Sequence, residues 1–258
     1  MPSSLKLAEA FGDDLAILFV EAQGASKKKA EQFAWNQGWM ATTAMWGNEQ
    51  PLVLDTDKLP VCALLSSEGE VLLMGNPISL HKDIEDAIRL EIKRATKVSK
   101  DVPRSLHGAW KSFQKGDYEK AFQAAIEVEL PGDDDAPAAV AMLEGFRANI
   151  ATRIRGIEWR ISNGYLLEAA ERLEDLADSA EGVEEIESLL APIQERLASD
   201  EMEPEFDAAK AFAKIETRLK KDGLEDKWLR QLEPFMKKHE GTLAAERADQ
   251  LLRLSKIK

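Results

Sequence analysis

Residues 59–75 read Leu59-Pro60-Val61-Cys62-Ala63-Leu64-Leu65-Ser66-Ser67-Glu68-Gly69-Glu70-Val71-Leu72-Leu73-Met74-Gly75. Two apolar runs of strand length are split by a short polar stretch containing a glycine, which predicts a β-hairpin. Gly75, Asn76 and Pro77 close it. From Ser79 onward the pattern changes to helical period, with Ile84, Ala87, Ile88 and Ile92 recurring along one face.

Upstream of the hairpin, Leu15–Val20 (LAILFV) is a continuous apolar run that suits a central strand covered on both faces. Ser26 can cap a helix running from Lys27 to about Trp39, with Ala30, Phe33, Ala34 and Gln37 along its stripe. Trp35 and Trp39, four positions apart, share a helix face and are assigned to packing. Pro51–Leu54 forms a short extended piece, and Trp46, beside Gly47 and Asn48, falls in a loop as an exposed contact residue. The order is strand, helix, hairpin, helix.

Downstream, the hydrophobic period lapses over the polar stretch Thr96–Arg104 and restarts at Trp110. Beyond Leu106 the β signal is gone. Ala138–Arg155, Leu166–Ala177, Val183–Ala198, Glu205–Lys221 and Glu225–His239 each fit an amphipathic helix, punctuated by Gly132, Gly164, Gly182, Pro204, Gly223 and Gly241. The chain therefore divides into an α/β domain over residues 1–97 and an all-helical domain over 105–258. Trp110 and Phe113 are the residues expected at a seam between them.

The hairpin with Pro60 before it, the strand LAILFV and the helix at Ser26 together resemble the thioredoxin-like family over roughly residues 10–95. The resemblance implies an α/β sandwich with Pro60 opening a strand. It also places Pro60 beside a groove that holds an extended peptide, with Gln23, Gly24 and Ser26 in the turn before the helix and Trp46 as further contact residues. Redox-active members carry a cysteine pair at that helix start, where backbone N–H groups lower the thiol pKa. Here the turn reads Glu21-Ala22-Gln23-Gly24-Ala25-Ser26-Lys27, so dithiol exchange has neither thiol. In the second half, Trp110–Phe122 resembles the turn and second helix of a tetratricopeptide hairpin, with Gly116 in the turn and Tyr118 and Ala121 at the helix contact. A weaker echo lies at Asn163–Ala170. The two glycines are 48 positions apart, which fits stacked helical hairpins of irregular length better than a regular repeat.

Composition narrows the chemistry. A formal net charge of −13 disfavours nucleic acid and anionic membrane surfaces as partners, and no apolar run has the roughly 20 residues of a membrane helix. The start of the chain has no signal-peptide pattern, which reads as cytoplasmic, or as extracytoplasmic if a leader has been removed. The single cysteine, Cys62, excludes an internal disulfide. His81, His107 and His239 have no metal-ligand spacing and are assigned to the surface, and Asp133–Asp135 lacks the alternation of a calcium loop. No nucleotide, acyl-transfer or dinucleotide motif is present, so no catalytic residue, cofactor or metal is assigned. The expected function is a redox-inactive binding or scaffolding protein with a protein or peptide partner, a homo-oligomer being left open. The alternative is a thiol-dependent oxidoreductase or peroxidase using Cys62 alone, which otherwise reads as a buried small hydrophobe.

Overall fold

A computed structural model of the chain describes residues 2–11, 14–21, 24–36, 44–46, 60–66, 69–95, 98, 101–130, 134–222 and 226–255. The molecule is mostly helical and divides into two compact units, residues 1–97 with 254–258, and residues 98–253. Among the described residues no helix is long and apolar enough to cross a membrane.

The first unit runs α1 (Pro2–Phe11), β1 (Phe19–Glu21), α2 (Lys27–Asn36), β2 (Ala44–Trp46), β3 (Cys62–Leu65), β4 (Val71–Gly75) and α3 (His81–Ala95). The expected hairpin forms as β3 and β4, antiparallel, with Cys62 opposite Gly75, Leu64 opposite Leu73 and a register shift after Leu64. Turn chemistry fixes it. Ser66 donates its N–H to the Glu70 carbonyl at 2.8 Å and accepts the Glu70 N–H on its hydroxyl at 3.1 Å. Gly69 supplies the left-handed backbone, at φ 87°. Asn76, not Ser79, organises the entry to α3: its carbonyl accepts from Leu80 N–H and its side chain from Ile78 N–H. Ile88 is buried on the predicted stripe of that helix.

A thioredoxin-like sandwich is not evident. β1 pairs in parallel with β2, and β3 pairs with β4, but among the described residues the two pairs do not join into one sheet. Only the end of LAILFV is strand, Leu18 is 57% exposed, and Phe19–Glu21 is half-buried instead of covered on both faces. Phe33, placed on the buried stripe of α2, is exposed, while its neighbour Ala34 is buried. A pair of strands three residues long cannot by itself close a two-faced core. Pro51–Leu54 and Gln37–Trp39 lie outside the described residues.

The second unit is helical throughout: α4 (His107–Gln114), α5 (Tyr118–Val128), α6 (Ala136–Ser162), α7 (Leu166–Ser179), α8 (Glu184–Ala198), α9 (Glu203–Asp222), α10 (Asp226–Lys238) and α11, which starts at Leu243. The α4–α5 hairpin turns at Gly116, φ 77°, and Asp117 receives the Lys120 N–H on its carboxylate as a helix cap. Tyr118 and Ala121 are buried, as the turn pattern predicts. α6 spans 27 residues, about 40 Å. It runs through Gly156 and past the predicted end at Arg155. Leu143, Phe146, Ile150, Ile157 and Ile161 bury one stripe of it against α5 and α7.

Phe113 belongs to this core. Its ring lies 4.0 Å from that of Phe146 at an interplanar angle of 2°, and 4.8 Å from Tyr118. Trp110 is half-buried against the same cluster. Offset and stacked aromatic pairs add to area burial, so this group welds α4, α5 and α6. Replacing Phe146 with Ala removes the shared ring and leaves a cavity, with an expected loss of about 3–5 kcal/mol. Urea unfolding of the full chain should show a lower midpoint with an unchanged slope for the transition of the helical unit.

Candidate functional site

The sequence-derived contact residues of the first unit are only partly brought together. Gly24 adopts φ 75° with open space where a side chain would stand, and the Ser26 carbonyl accepts the Ala30 N–H at 3.0 Å as α2 begins. Trp46 is not in a loop: it ends β2, in register with Glu21. Because β1 and β2 are parallel, the Gly24–Ser26 turn follows the same strand end that carries Trp46. Pro60 is exposed at a bend before β3, and no strand pairing among the described residues ties it to that turn. Gln23 lies outside the described residues.

Cys62 is half-buried in β3, with its thiol 3.4 Å from the Gly75 carbonyl oxygen, to which it donates. Burial pushes the thiol pKa up, and the neighbouring Gly75 backbone only partly offsets that push. A nucleophilic or peroxidatic cysteine requires a shift of the opposite sign. The folded chain holds this proton more tightly than the unfolded one. Its contribution to stability is therefore present below the unfolded thiol pKa and is lost as pH rises through the folded value. Alkylation of Cys62 by iodoacetamide between pH 7 and 9 should be slower in the folded chain than in urea. Fast labelling of the folded chain at pH 6 would restore the thiol-enzyme reading.

Two of the three histidines differ from their surface assignment. His81 is exposed, but His107 is half-buried with Nε2 3.0 Å from the Val102 carbonyl, and the His239 ring lies 4.8 Å from that of Phe235. Asp135 accepts a hydrogen bond from the Ser105 hydroxyl at 2.6 Å. Among the described residues no group of three metal-ligating side chains converges.

A shallow groove lies between α7 and α8 of the helical unit, about 370 Å³ in volume. Leu173 and Leu197 form its apolar floor with Ala170, Ala177 and Ala198, whose small side chains leave the hollow. Glu174, Asp178 and Gln194 complete the lining. Glu174 and Asp178 are exposed one helical turn apart on α7, and neither has a basic partner among the described residues. The buried stripes, Leu166, Ala169 and Leu176 of α7 with Ile186, Leu190 and Ile193 of α8, go into the core, and Leu173 is buried between that core and the groove.

Three local devices hold these two helices. Gly182, at φ 84°, makes the tight turn between them, and its N–H donates to the Glu187 carboxylate at 2.8 Å. At the other end of α7, Gly164 turns at φ 74°. A Cβ there would come within 3.0 Å of Arg247 Cδ and 3.2 Å of the Leu243 carbonyl. Arg247 of α11 supplies the third. Its guanidinium donates to the Gly164 carbonyl at 2.9 Å and to Glu216 of α9 at 2.7 Å, and it lies 3.8 Å over the Tyr165 ring.

None of the groove residues was picked out from the sequence as a site. One signal was available: Leu166–Ala198 holds ten acidic residues and two basic ones, so eight of the chain's thirteen net negative charges fall on this helix pair. Comparison of the chain with protein-family models, with curated proteins and with solved structures returns no match.

Arg247→Met should cost about 2–4 kcal/mol, because it takes the cation from a carboxylate that is 15% exposed and removes the bond to Gly164. Adding Glu216→Gln should return part of that loss. A double-mutant cycle by chemical denaturation measures the coupling, and strict additivity would deny the pair any role in holding α7.

Proposed function

We propose that the chain is a non-catalytic interaction module whose helical unit holds a protein or peptide segment. The observation that carries this reading is the groove between α7 and α8, apolar on its floor and acidic at its edge, on a unit with a deep aromatic core. The Gly116 and Gly164 turns, each followed by a helix with buried aromatic or alanine contacts, support the tetratricopeptide-like description of this unit. Such helical hairpins present binding surfaces between successive helices. For the first unit, a thioredoxin-like reading rests on the order strand, helix, parallel strand, hairpin, helix alone, since the two strand pairs do not join among the described residues. The absence of cysteine from the Gly24–Ser26 turn and the raised thiol pKa of Cys62 support a redox-inactive one.

Display of a random peptide library against the full chain should enrich a common pattern. Hydrogen–deuterium exchange with a selected peptide should then show added protection within residues 98–253. Absence of any enriched pattern, or protection confined to residues 1–97, would overturn the assignment of binding to the helical unit.

A further inference from the structure

Resting on that reading, we infer that the occupant of the α7–α8 groove is a short amphipathic helix that places apolar side chains on the floor and Lys or Arg at the edges. Charge selects the sign. More than half of the net charge of the whole chain sits between Leu166 and Ala198. The two carboxylates that line the groove, Glu174 and Asp178, have no basic partner among the described residues. An acidic partner would meet like charge here, whereas a basic one gains encounter rate and register.

The lining selects the conformation. An extended peptide needs partners for its backbone N–H and C=O groups, and the floor offers Leu173, Leu197 and three alanines, with Gln194 the one neutral polar side chain in the lining. A helix satisfies its own backbone and presents only side chains. The α7 lining runs from Ala170 to Asp178, roughly 12 Å along the helix axis, which matches about two turns of a docked helix. Alanines at positions 170 and 177 on that face allow the axis of a third helix to approach at the usual 8–10 Å spacing.

The test uses a fluorescein-labelled 14-residue helical peptide built from Leu, Ala and Lys, and a counterpart with Glu for every Lys, titrated with the full chain in 150 mM salt. The Lys peptide should bind saturably at one per chain, and the Glu peptide at least twentyfold more weakly. Glu174→Lys with Asp178→Lys should weaken the Lys peptide at least tenfold. Ala198→Trp, at an exposed groove position, should do the same by filling the hollow without changing charge. Reversal of Glu127 and Glu240, away from the groove, should leave affinity within twofold.

Equal weakening by both reversal pairs, or an unchanged affinity in Ala198→Trp, would reduce the binding to general attraction and overturn the inference. If the Lys peptide fails while a library-selected peptide binds residues 98–253, the occupant assigned here is wrong and the interaction module stands. If neither binds, both fall.

Discussion

Arg247 is the residue on which the geometry of the helical unit turns. One guanidinium bonds a backbone carbonyl at Gly164 and a carboxylate at Glu216, while it lies 3.8 Å from the centre of the Tyr165 ring and 5.1 Å from that of Phe212. These partners belong to the α6–α7 turn and to α9, so a single side chain of α11 fixes three elements distant in sequence. Lysine could not replace it. An ammonium is a point donor without a planar fork, and it cannot bond a carbonyl and a carboxylate while lying flat on a ring. Tyr165 shows how enclosed the junction is: burial raises its pKa even though the Arg247 charge pulls the other way.

That rigidity matters because α7 carries an internal conflict. Glu171 and Asp175, and Glu174 and Asp178, are like-charged pairs one helical turn apart, and each such pair costs a few tenths of a kcal/mol. The buried faces of α7 and α8, with Leu173, Leu176, Ile186 and Leu190, offset this many times over. Burial is what permits the surface to remain so one-signed. A sequence selected only for stability would intersperse lysines among these positions, as it does on α3, where Arg89 bonds Glu85 and Arg94 bonds Glu91. On α7 the Glu174–Asp178 face has no such basic partner among the described residues, while Glu168 at the start of the helix pairs with Arg160.

Much of the helical unit could be read from residues alone, because turns there are written in glycine. Gly116, Gly164, Gly182 and Gly241 all sit at positive φ between helices, so the period of each helix and its stop signal agree. The hairpin at Cys62–Gly75 was legible for the same reason. What failed were positions where pairing or depth decides. LAILFV has no alternation to say which part finds a strand partner. Helix α11 escaped although Gly241 was noted, since its cap, with Thr242 accepting the Ala245 N–H, is one hydroxyl. The thioredoxin-like sandwich was inferred from element order, and element order does not make strands join. The groove was illegible in principle: Ala177 and Ala198 are ordinary helix residues until α7 and α8 are laid side by side.

The shape of the groove limits the kind of recognition proposed for it. Its volume lies at the lower end of small-ligand pockets, roughly 300–1,000 Å³, and its floor is supplied by two leucines and three alanines. Apolar contact on that scale gives modest affinity, since association must first offset lost translational and rotational freedom. A field of one sign over neighbouring helices raises encounter rate and rejects acidic segments without adding contact area. On the proposed reading, discrimination at this surface therefore falls chiefly to charge, while shape decides only that the segment lies along the helices. The packing that keeps α7 and α8 in place, from the Phe113–Phe146 stack to the Arg247 junction, preserves the spacing on which that discrimination depends.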